Sequence, residues 1–558
     1  MATSRKKKKR RSPLPVLLCI ALVIGIVAVA MHFFEENSTN KNVMDTAAYY
    51  GVTDGTEAPL IVNDQILDER GMIRDGKIYI DYDVVCSYFS GGFYWESATN
   101  QMLMTLPSGT SVWTPDDGSG NLIREGDTLY LSADCVKENS DIDLEILENP
   151  SRVVARTTWK NVTAETVTVD TQIRARSDKK SEIIKYVSAG DTVVLVENSD
   201  RWCKVSTSDG LIGYIQKKEL ETAPEGTISH TTDSKFVFDH MLVDNMVSMG
   251  WQYVGEGSDQ IADLAGVTNT AQGLNVISPT WFSFADTAGN LVSYANADYV
   301  TEAHNRGIAV WPALMDVYGG EVTAPGILAT YEARSNVINQ LMSIAAETGI
   351  DGINVDIETI DEDSVPQYLQ FLKELVVAGH AQNLIISVDN YVPLYTSYLN
   401  RRTQARIVDY LVIMAYDEHT AGSEEAGSVS SLPFVEQGIT DTLAEAPAKQ
   451  VICGIPFYTR GWTATFGVEL PASEALGMDA AAQWAEAHDI TLNWDSENGQ
   501  NYGTSEDGSA RYSIWMEDEK SIGEKMKLIE KYDLAGVSVW RLGLERADVW
   551  SIIQEYLN

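Results

Sequence analysis

The segment DGINVDIE, from Asp351 to Glu358, decides the fold and the chemistry of the larger part of the chain. Residues two apart share a face of a β-strand, so Asn354, Asp356 and Glu358 line one side while three apolar residues line the other. Burying two carboxylates in an apolar interior costs several kcal/mol each unless they are paired or used. The strand contains no Lys or Arg that could pair with them. The pattern therefore predicts a functional site.

Short apolar or β-branched runs alternate with longer amphipathic stretches throughout residues 236–558. This alternation over about 320 residues is typical of a (β/α)8 barrel, in which active-site residues follow the carboxyl ends of the strands. The gap from Gly461 to about Lys531 is too long for one loop, so we expect an inserted element after the seventh strand. The predicted strands are FVFDHM (236), LNVISPTWF (274), GIAVWPALMD (307), GINVDIE (352), LIISVD (384), DYLVIMAYD (409), VICGIPFY (451) and GVSVWRLG (536).

Aromatic and polar residues lie at the predicted carboxyl ends of several other strands. Pyranose rings have apolar faces that stack on aromatic side chains, while sugar hydroxyls need fixed hydrogen-bonding groups. One such tryptophan would be an ordinary core residue, but several at one end of a barrel, beside a carboxylate pair, predict a carbohydrate site. These residues are Trp281 and Phe282, Trp311, Met414 to Asp417, Phe457 and Tyr458, and Trp540.

Together these motifs resemble glycoside hydrolase family 18, the chitinase-like enzymes, over residues 236–558. The family signature DGxDxDxE is present as DGINVDIE, with Asn354 in place of the first inner Asp, and the MxYD motif is intact at 414–417. The segment GIPFYTRGW (454–462) and Trp540 match the regions of strands seven and eight. Within the family, the chain looks similar to the exported bacterial branch that includes spore-cortex and cell-wall N-acetylglucosaminidases.

The resemblance implies retaining, substrate-assisted cleavage of a glycan that contains N-acetylglucosamine. Glu358 would protonate the glycosidic oxygen and then activate water, and neighbouring Asp356 would raise its pKa. The acetamido oxygen of the substrate would be the nucleophile, oriented by Asp356 and Tyr416. Asp351 is out of register with the inner face and would only help to place the strand end. The implied substrate-binding residues are Asn354, Met414, Asp417, Trp540, Trp281 and Tyr458.

The departure at Asn354 bears on the protons that the site can hold. In the chitinase pattern, an Asp at this position can share a proton with the next Asp. Asn cannot titrate but can donate a hydrogen bond to Asp356, so we expect an altered pH profile and retained activity. The alternative is a non-catalytic protein that binds or scaffolds cell-wall glycan, and the intact Glu358 and Tyr416 argue against it.

A basic run at the amino terminus, Arg5–Arg11, precedes an uncharged apolar stretch, Leu14–Ala30. About 17–21 apolar residues can span a bilayer, and the basic flank stays inside. We therefore predict a cytoplasmic tail at 1–12, a single-pass membrane anchor at 13–34, and export of the remainder. The residues up to Ala30 also fit a cleavage site, and cleavage there would make the protein secreted.

A tether at 35–57 and an α+β stalk domain at 58–150 are predicted to follow the anchor. The stalk resembles the small amino-terminal domain of copper amine oxidases, although the stretch contains no histidine that would mark a copper site. Its cysteines, Cys86 and Cys135, are more often buried thiols than a disulfide at such a separation.

A second small domain, at 159–222, resembles a bacterial SH3-like barrel, and a linker at 223–235 joins it to the (β/α)8 barrel. Barrels of this kind commonly bind cell-wall peptides or glycan. Trp202 and Tyr214 either bind such a ligand or fill the small core, and the sequence leaves both open. The predicted fold class is thus multidomain, with an α+β stalk and an all-β SH3-like barrel ahead of the catalytic (β/α)8 barrel.

The charge of the chain limits its partners. The 558 residues include 41 basic and 80 acidic side chains, for a net charge of −39, which repels phosphate backbones and excludes nucleic acid. The few histidines, such as His304, His380 and His419, show no paired spacing, so neither a metal nor another cofactor is expected. Peptidoglycan is favoured over chitin as the substrate because the anchor holds the protein near its own wall. Exo or endo action stays open.

Overall fold

The computed structural model describes residues 14–140, 142–157, 159–230, 237–254, 263–316 and 322–557, apart from the side chains of 14–17 and 33–37. Two compact units divide the chain. The first contains the residues up to Gly91 and from Gly118 to Ser234, and the second contains Gly92–Asp117 together with the residues from Lys235 onward. The chain thus passes between the units three times.

The first helix, Leu14–Asn37, covers the apolar stretch of the sequence. Within the part of the chain that the structure describes, no helix combines the length and the hydropathy that crossing a bilayer requires. The structure therefore does not support the predicted anchor at 13–34. The predicted tail at 1–12 lies outside the described residues.

A seven-stranded mixed sheet and short helices form the stalk part of the first unit. Cys135 is buried and Cys86 is half-buried, and both are free thiols, as the favoured interpretation predicted. The sheet strands, in spatial order, are Leu122–Glu125, Thr128–Ser132, Lys77–Asp81, Gln65–Arg74, Glu57–Val62, Arg152–Arg156 and Asp143–Leu147. The helices are Thr46–Tyr50, Tyr82–Val84, the π-helical turn Val85–Phe89 and Ala133–Asn139.

The SH3-like part of the first unit is a second seven-stranded sheet around a small apolar core that includes Ile173, Val205 and Ile215. Trp202 and Tyr214 are half-buried and lie outside that core, so the view that they fill it is wrong. The strands are Trp159–Val167, Thr171–Arg174, Ile183–Val187, Thr192–Glu197, Trp202–Ser206, Ile212–Gln216 and Leu220–His230, with a 3-10 turn at Lys217–Glu219.

Eight parallel strands form the predicted barrel in the second unit. The second and third strands are each split in two, and their halves pair with one another to close the ring. Pro312 separates the halves of the third strand because it has no N–H to continue the ladder. In order from one to eight, the strands are Val247–Gln252, Val276–Pro279 with Phe282–Phe284, Ala309–Val310 with Ala313–Met315, Gly352–Asp356, Ile385–Tyr391, Tyr410–Met414, Val451–Pro456 and Gly536–Trp540.

The first barrel strand differs from its predicted position at FVFDHM. Residues 237–246 form no helix or strand, and the first strand is instead Val247–Gln252, which is buried at every position. The earlier segment runs past the sixth strand, where the backbone N–H of Met241 donates to Asp409 at 2.6 Å. Among residues 237–241, the part of this segment that the structure describes, Phe238 is buried while Val237 stays exposed.

Helices cover the outside of the barrel and bury the apolar faces of the strands. The long helix Tyr331–Thr348 begins after Thr330, whose hydroxyl accepts the N–H of Ala333, and it ends at Gly349 with φ of 74°. The other helices are Leu264–Thr268, Ala297–Asn305, Ala324–Leu328, Val365–His380, Pro393–Thr396, Arg401–Ala405, Leu432–Leu443, Glu519–Lys531 and Val549–Glu555. The 3-10 turns are Glu362–Ser364, Ser397–Leu399 and Ala448–Gln450, and Leu291–Ser293 pairs with Phe282–Phe284.

A small subdomain follows the seventh strand and confirms the predicted insertion. Its five-stranded antiparallel sheet packs on helix Met478–Ala487 through Trp484, Ile514 and Met516. The strands, in spatial order, are Ala472–Gly477, Tyr458–Thr465, Ala510–Met516, Gln500–Glu506 and Asn493–Asp495.

Residues 92–117 interrupt the predicted stalk domain and belong to the barrel unit. They form three antiparallel strands, Phe93–Glu96, Gln101–Leu106 and Gly109–Trp113. At one end, the buried guanidinium of Arg334 donates to Glu96 Oε2 at 2.8 Å and to Glu374 at 2.9 and 3.0 Å. We call this three-residue group, Glu96, Arg334 and Glu374, the docking cluster.

Candidate active site

A cavity of about 670 Å³ opens at the carboxyl ends of the barrel strands. This is where (β/α)8 barrels carry their active sites, and the volume lies within the usual range for ligand pockets. No Lys, Arg or His is among its lining residues in the described part of the chain. The lining includes Trp251, Tyr253, Trp281, Phe282, Phe284, Tyr294, Asp316, Asp356, Glu358, Tyr391, Met414, Tyr416, Asp417 and Trp540.

Glu358 lies at the cavity just beyond the fourth strand and is half-buried. The Tyr391 hydroxyl donates to its Oε2 at 2.7 Å. Asp316, at the end of the third strand, accepts the backbone N–H of Glu358 at 2.5 Å and that of Thr359 at 2.9 Å. These contacts hold the backbone after the strand and fix the direction of the Glu358 carboxyl group. Burial raises the pKa of Asp316, against the opposing hydrogen bonds from Thr359 and Glu358.

Asp356 precedes Glu358 by two residues, on the same inward face of the fourth strand, and is buried. Burial raises its pKa well above the ordinary value, and the nearby carboxylates of Asp389, Glu358 and Asp316 raise it further. Asp389, on the fifth strand, is also buried, and burial raises its pKa in the same direction. Two acids that both resist ionisation therefore lie beneath Glu358.

Asn354 is fully buried below the cavity and does not line it. Its side-chain N–H groups donate to Asp389 Oδ1 at 2.7 Å and to the Ser387 hydroxyl at 3.0 Å. Its oxygen accepts from Trp251 Nε1 at 2.9 Å and from Ser278. The expected hydrogen bond to Asp356 and the expected contact with substrate are both wrong, because position 354 faces the barrel interior one layer below the opening.

The sixth strand brings Met414, Tyr416 and Asp417 to the cavity, as the motif predicted. Tyr416 is buried, and burial together with the charge of Asp356 raises its pKa well above the ordinary value, so its hydroxyl stays a donor. Tyr458 is buried behind this group, outside the cavity lining, and donates to Asp417 Oδ1 at 2.5 Å. Tyr458 therefore orients Asp417 and does not itself face the opening.

Aromatic side chains form the opposite wall. Trp540 is half-buried and meets Trp251 edge to face at 6.0 Å between ring centroids. Trp281 lines the cavity with its ring packed on Tyr299. Trp311 and Phe457, which the sequence also placed at strand ends, are buried away from the cavity.

Asp351 lies at the amino end of the fourth strand, far along the strand from Glu358. Its carboxylate accepts the backbone N–H of Val310 at 2.8 Å and pairs with His304 Nε2 at 2.8 Å. The neighbouring Gly352 has no room for a side chain, since a Cβ there would lie 2.6 Å from the carbonyl oxygen of Ile385. The DG pair of the motif thus serves strand packing.

Among the residues that the structure describes, no group of three or more His, Cys, Asp or Glu side chains is arranged to hold a metal ion. No Lys, Arg or His among the described residues lines the cavity, so an acid that ionises there would stabilise positive charge that develops on a bound neutral molecule.

Asp316, Asp389 and Tyr391, which lie around Glu358 and Asp356, were not predicted from the sequence. The same holds for the lining residues Trp251, Tyr253, Phe284 and Tyr294. The run IISVDNY contained a usable signal for Asp389 and Tyr391, since residues two apart share the inner face there as they do in the fourth strand. The fifth strand was predicted to end at Asp389, which hid Tyr391. Asp316 follows the third strand as its last described residue before a gap.

Two segments of the chain match known protein families. Residues 319–545 match the family described as glycosyl hydrolases family 18. Residues 169–221 match the family described as the bacterial SH3 domain.

Relatives among curated sequences are distant and cover parts of the chain. YdhD of Bacillus subtilis, described as a sporulation-specific glycosylase, is 29% identical over 227 residues, which cover 39% of this chain and 53% of that protein. The cortical fragment-lytic enzyme of Bacillus subtilis is 26% identical over 290 residues, covering 50% of this chain and 67% of that enzyme. The chain therefore spans about half the length of the first relative.

Solved structures share the fold at low identity. The spore cortex-lytic enzyme SleL of Bacillus cereus superposes with a TM-score of 0.50 at 18% identity, covering 56% of this chain and 74% of that one. SleL of Bacillus megaterium gives 0.50 at 17% identity, covering 66% and 89%. At these identities the likeness shows the fold alone.

Proposed function

Because the chain carries a domain of glycosyl hydrolase family 18, we propose that it is a glycosidase that cleaves β-1,4 bonds of a glycan containing N-acetylglucosamine. The observation that carries the proposal is the position of Glu358 at the cavity, with its carboxyl group held by Tyr391 above the buried Asp356. An accessible acid beside aromatic walls suits a neutral sugar chain.

Glu358 acts first as an acid and then as a base in the proposed reaction. It donates its proton to the glycosidic oxygen, so the bond to the anomeric carbon breaks with a neutral leaving group. After departure of the leaving sugar, the same carboxylate takes a proton from water as the water attacks the anomeric carbon. The backbone contacts of Asp316 keep this carboxyl group in one place through both steps.

The nucleophile belongs to the substrate in this proposal. The acetamido oxygen attacks the anomeric carbon to give an oxazolinium ion, and water opens it with retention of configuration. Asp356 accepts the acetamido N–H and balances the positive ring, and the Tyr416 hydroxyl donates to the acetamido oxygen. The raised pKa of Tyr416 supports this donor role at neutral pH.

Peptidoglycan is the favoured substrate and chitin the second. Both contain β-1,4-linked N-acetylglucosamine, so the barrel alone does not separate them. The SH3-like domain, with Trp202 and Tyr214 outside its core, favours a glycan that carries peptides. The cortical fragment-lytic enzyme of Bacillus subtilis, 26% identical over 290 residues, is named for cortex lysis, which is consistent with a wall substrate.

We also propose that the two units act outside the cytoplasm. The basic run and apolar stretch at the amino terminus support export. Fractionation of cells that express the full chain, with a carboxyl-terminal epitope, tests the location. Protease protection of the epitope in intact spheroplasts would overturn it, while release into the medium would favour cleavage over attachment.

The test of the function compares the full-length protein with Glu358→Gln and with Glu362→Gln, an exposed acid four residues away. Each is incubated with purified peptidoglycan and with colloidal chitin, and the fragments are read by mass spectrometry. We expect new N-acetylglucosamine reducing ends from the wild type and from Glu362→Gln, and none from Glu358→Gln.

Three results would contradict these proposals. Equal release by Glu358→Gln would remove Glu358 from the chemistry. Glycan binding without any release by the wild type would favour the non-catalytic scaffold, and oligomers from chitin alone would reverse the choice of substrate.

A further inference from the structure

Strands four and five carry their inward side chains in matched pairs. The strands run parallel, and Asn354 is paired with Ser387 and Val355 with Val388. Partners on adjacent parallel strands point to the same face. The next inward pairs are therefore Asp356 with Asp389, and Glu358 with Tyr391. The first and last of these three pairs are joined by hydrogen bonds of 3.0 and 2.7 Å.

The middle pair consists of two acids that leave oxygen atoms without partners. Asp356 and Asp389 are 8% and 4% exposed. Asp389 Oδ1 accepts from Asn354, but Asp389 Oδ2 and Asp356 Oδ1 are buried and have no hydrogen-bond partner among the described residues. Buried polar atoms in native proteins almost always have one. A single proton held between the two carboxyl groups would give both oxygens a partner.

We propose that Asp356 and Asp389 share one proton, so that Asp389 supplies the titrating partner that position 354 lacks. The inference rests on the proposed function for its catalytic meaning, whereas the sharing itself is a property of the folded protein. Asp389 is a positioning residue, since it acts on the substrate through Asp356.

The surroundings of the pair favour retention of that proton. Four titratable groups interact electrostatically with the two acids: Asp316, Glu358, Tyr368 and Tyr416. All four are neutral or negative, and none is a cation. Two ionised carboxylates in this setting would repel each other and every neighbour, which is why coupled buried acids titrate as a pair.

The proton can move within the pair without a change of net charge. When an O–H bond at Asp356 breaks and one forms at Asp389, the pair keeps a charge of minus one. Asp356 then faces the cavity as a carboxylate, ready to accept the acetamido N–H and to balance the oxazolinium ion. Asn354 holds Asp389 Oδ1 with an N–H donor, a contact that an ionised Asp at 354 could not make.

Carbon-13 labelling of the aspartate carboxyl groups tests the sharing directly. The full-length protein is titrated as wild type, Asp389→Asn and Ser387→Ala, with the Asp356 signal assigned by its loss in Asp356→Asn. Asp389→Asn removes a like charge and adds an amide donor, so the Asp356 midpoint should move to lower pH. Ser387→Ala, one pair below on the same strand, should leave it unchanged. Equal midpoints in wild type and Asp389→Asn would overturn the proposal.

A reciprocal measurement on Asp356→Asn decides the question if Asp389→Asn does not fold. In Asp356→Asn, the Asp389 signal should move to lower pH in the same way, and an unmoved midpoint there would also overturn the sharing. Circular dichroism checks the fold of every variant.

An activity measurement separates this inference from the proposed function. The pH dependence of kcat/KM is recorded with a fluorogenic N-acetylglucosamine dimer. The limb of this pH profile that reports titration of Asp356 and Asp389 should move to lower pH in Asp389→Asn but not in Ser387→Ala. An active wild type with an unmoved limb in Asp389→Asn would overturn the inference and leave the function standing. An inactive wild type would overturn the function, and the carbon-13 titration would still decide the sharing.

Discussion

Replacing Arg334 by Met tests the docking cluster that joins residues 92–117 to the barrel. Arg334 is fully buried, and the side chains of Glu96 and Glu374 are 1% and 5% exposed. Burial alone would lower the pKa of Arg334, but the two carboxylates raise it. The variant leaves the buried carboxyl groups of Glu96 and Glu374 without the cation that pairs with both of them.

The expected cost follows from the loss of a buried partner. Removing one member of a buried ion pair destabilises a protein by about 3–5 kcal/mol. At about 2 °C per kcal/mol for a unit of this size, the melting temperature of the barrel unit should fall by about 6–10 °C at neutral pH. Burial already raises the pKa of Glu374 against the opposing effect of Arg334. The fall should therefore be smaller in acid, where the carboxyl groups take up protons.

Tryptophan fluorescence during heating of the full-length protein is a suitable assay, because eleven of the thirteen tryptophans lie in the barrel unit. Glu96→Gln is the control, since Glu374 keeps its two hydrogen bonds to Arg334. The single amide oxygen can accept from Arg334 or from the backbone N–H of Tyr331, but not from both, so the cost should be about 1–2 kcal/mol. A shift below about 2 °C for Arg334→Met, or equal shifts for both variants, would refute the reasoning.

Four further outcomes are expected. Proton NMR early in the reaction should show the β anomer first, and an α product would exclude the retaining route. Tyr391→Phe should lower kcat/KM by about tenfold, since it loses one hydrogen bond to the Glu358 carboxyl group, and an unchanged value would remove Tyr391 from the site. Trp540→Ala should raise KM more than it lowers kcat, and the reverse split would contradict a sugar-stacking role. Burial raises the pKa of Asp356, so above about pH 4 the unfolded state loses this proton while the folded state keeps it, and the stability of the protein falls as pH rises. The melting temperature of Asp356→Asn should therefore exceed that of the wild type at neutral pH and match it below about pH 3.

The barrel could be predicted from the sequence because its strands are apolar runs of the right length between helical patterns. The first strand was the exception. FVFDHM alternates like a strand, yet its described residues, 237–241, pass the amino end of the sixth strand and form neither a helix nor a strand. The true strand, VSMGWQ, contains a glycine and polar residues that weaken the pattern, and it is a strand because the barrel covers both its faces.

The association of residues 92–117 with the barrel has no local signal. Glu96 and Arg334 are 238 positions apart, and either residue alone reads as an ordinary exposed charge. The acids of the fourth strand were predictable from alternation, whereas the direction of the Asn354 amide was not. Its donors go to Ser387 and Asp389 because the fifth strand places acceptors beside it, which depends on strand register.

Synthesis of the chain gives the docking cluster a further consequence. The three strands of residues 92–117 leave the ribosome long before Glu374, and at about 5–20 residues per second the delay is about 15–55 s. During that interval the helices that cover this segment have not been made. Its apolar side chains therefore stay exposed, although in the folded protein they are buried: Met102, Leu103 and Met104. A short apolar strand in that state is a site for pairing with other chains. The strand Gln101–Leu106 therefore becomes covered only after helix Val365–His380 has been made and its Gln370 can donate to Thr105.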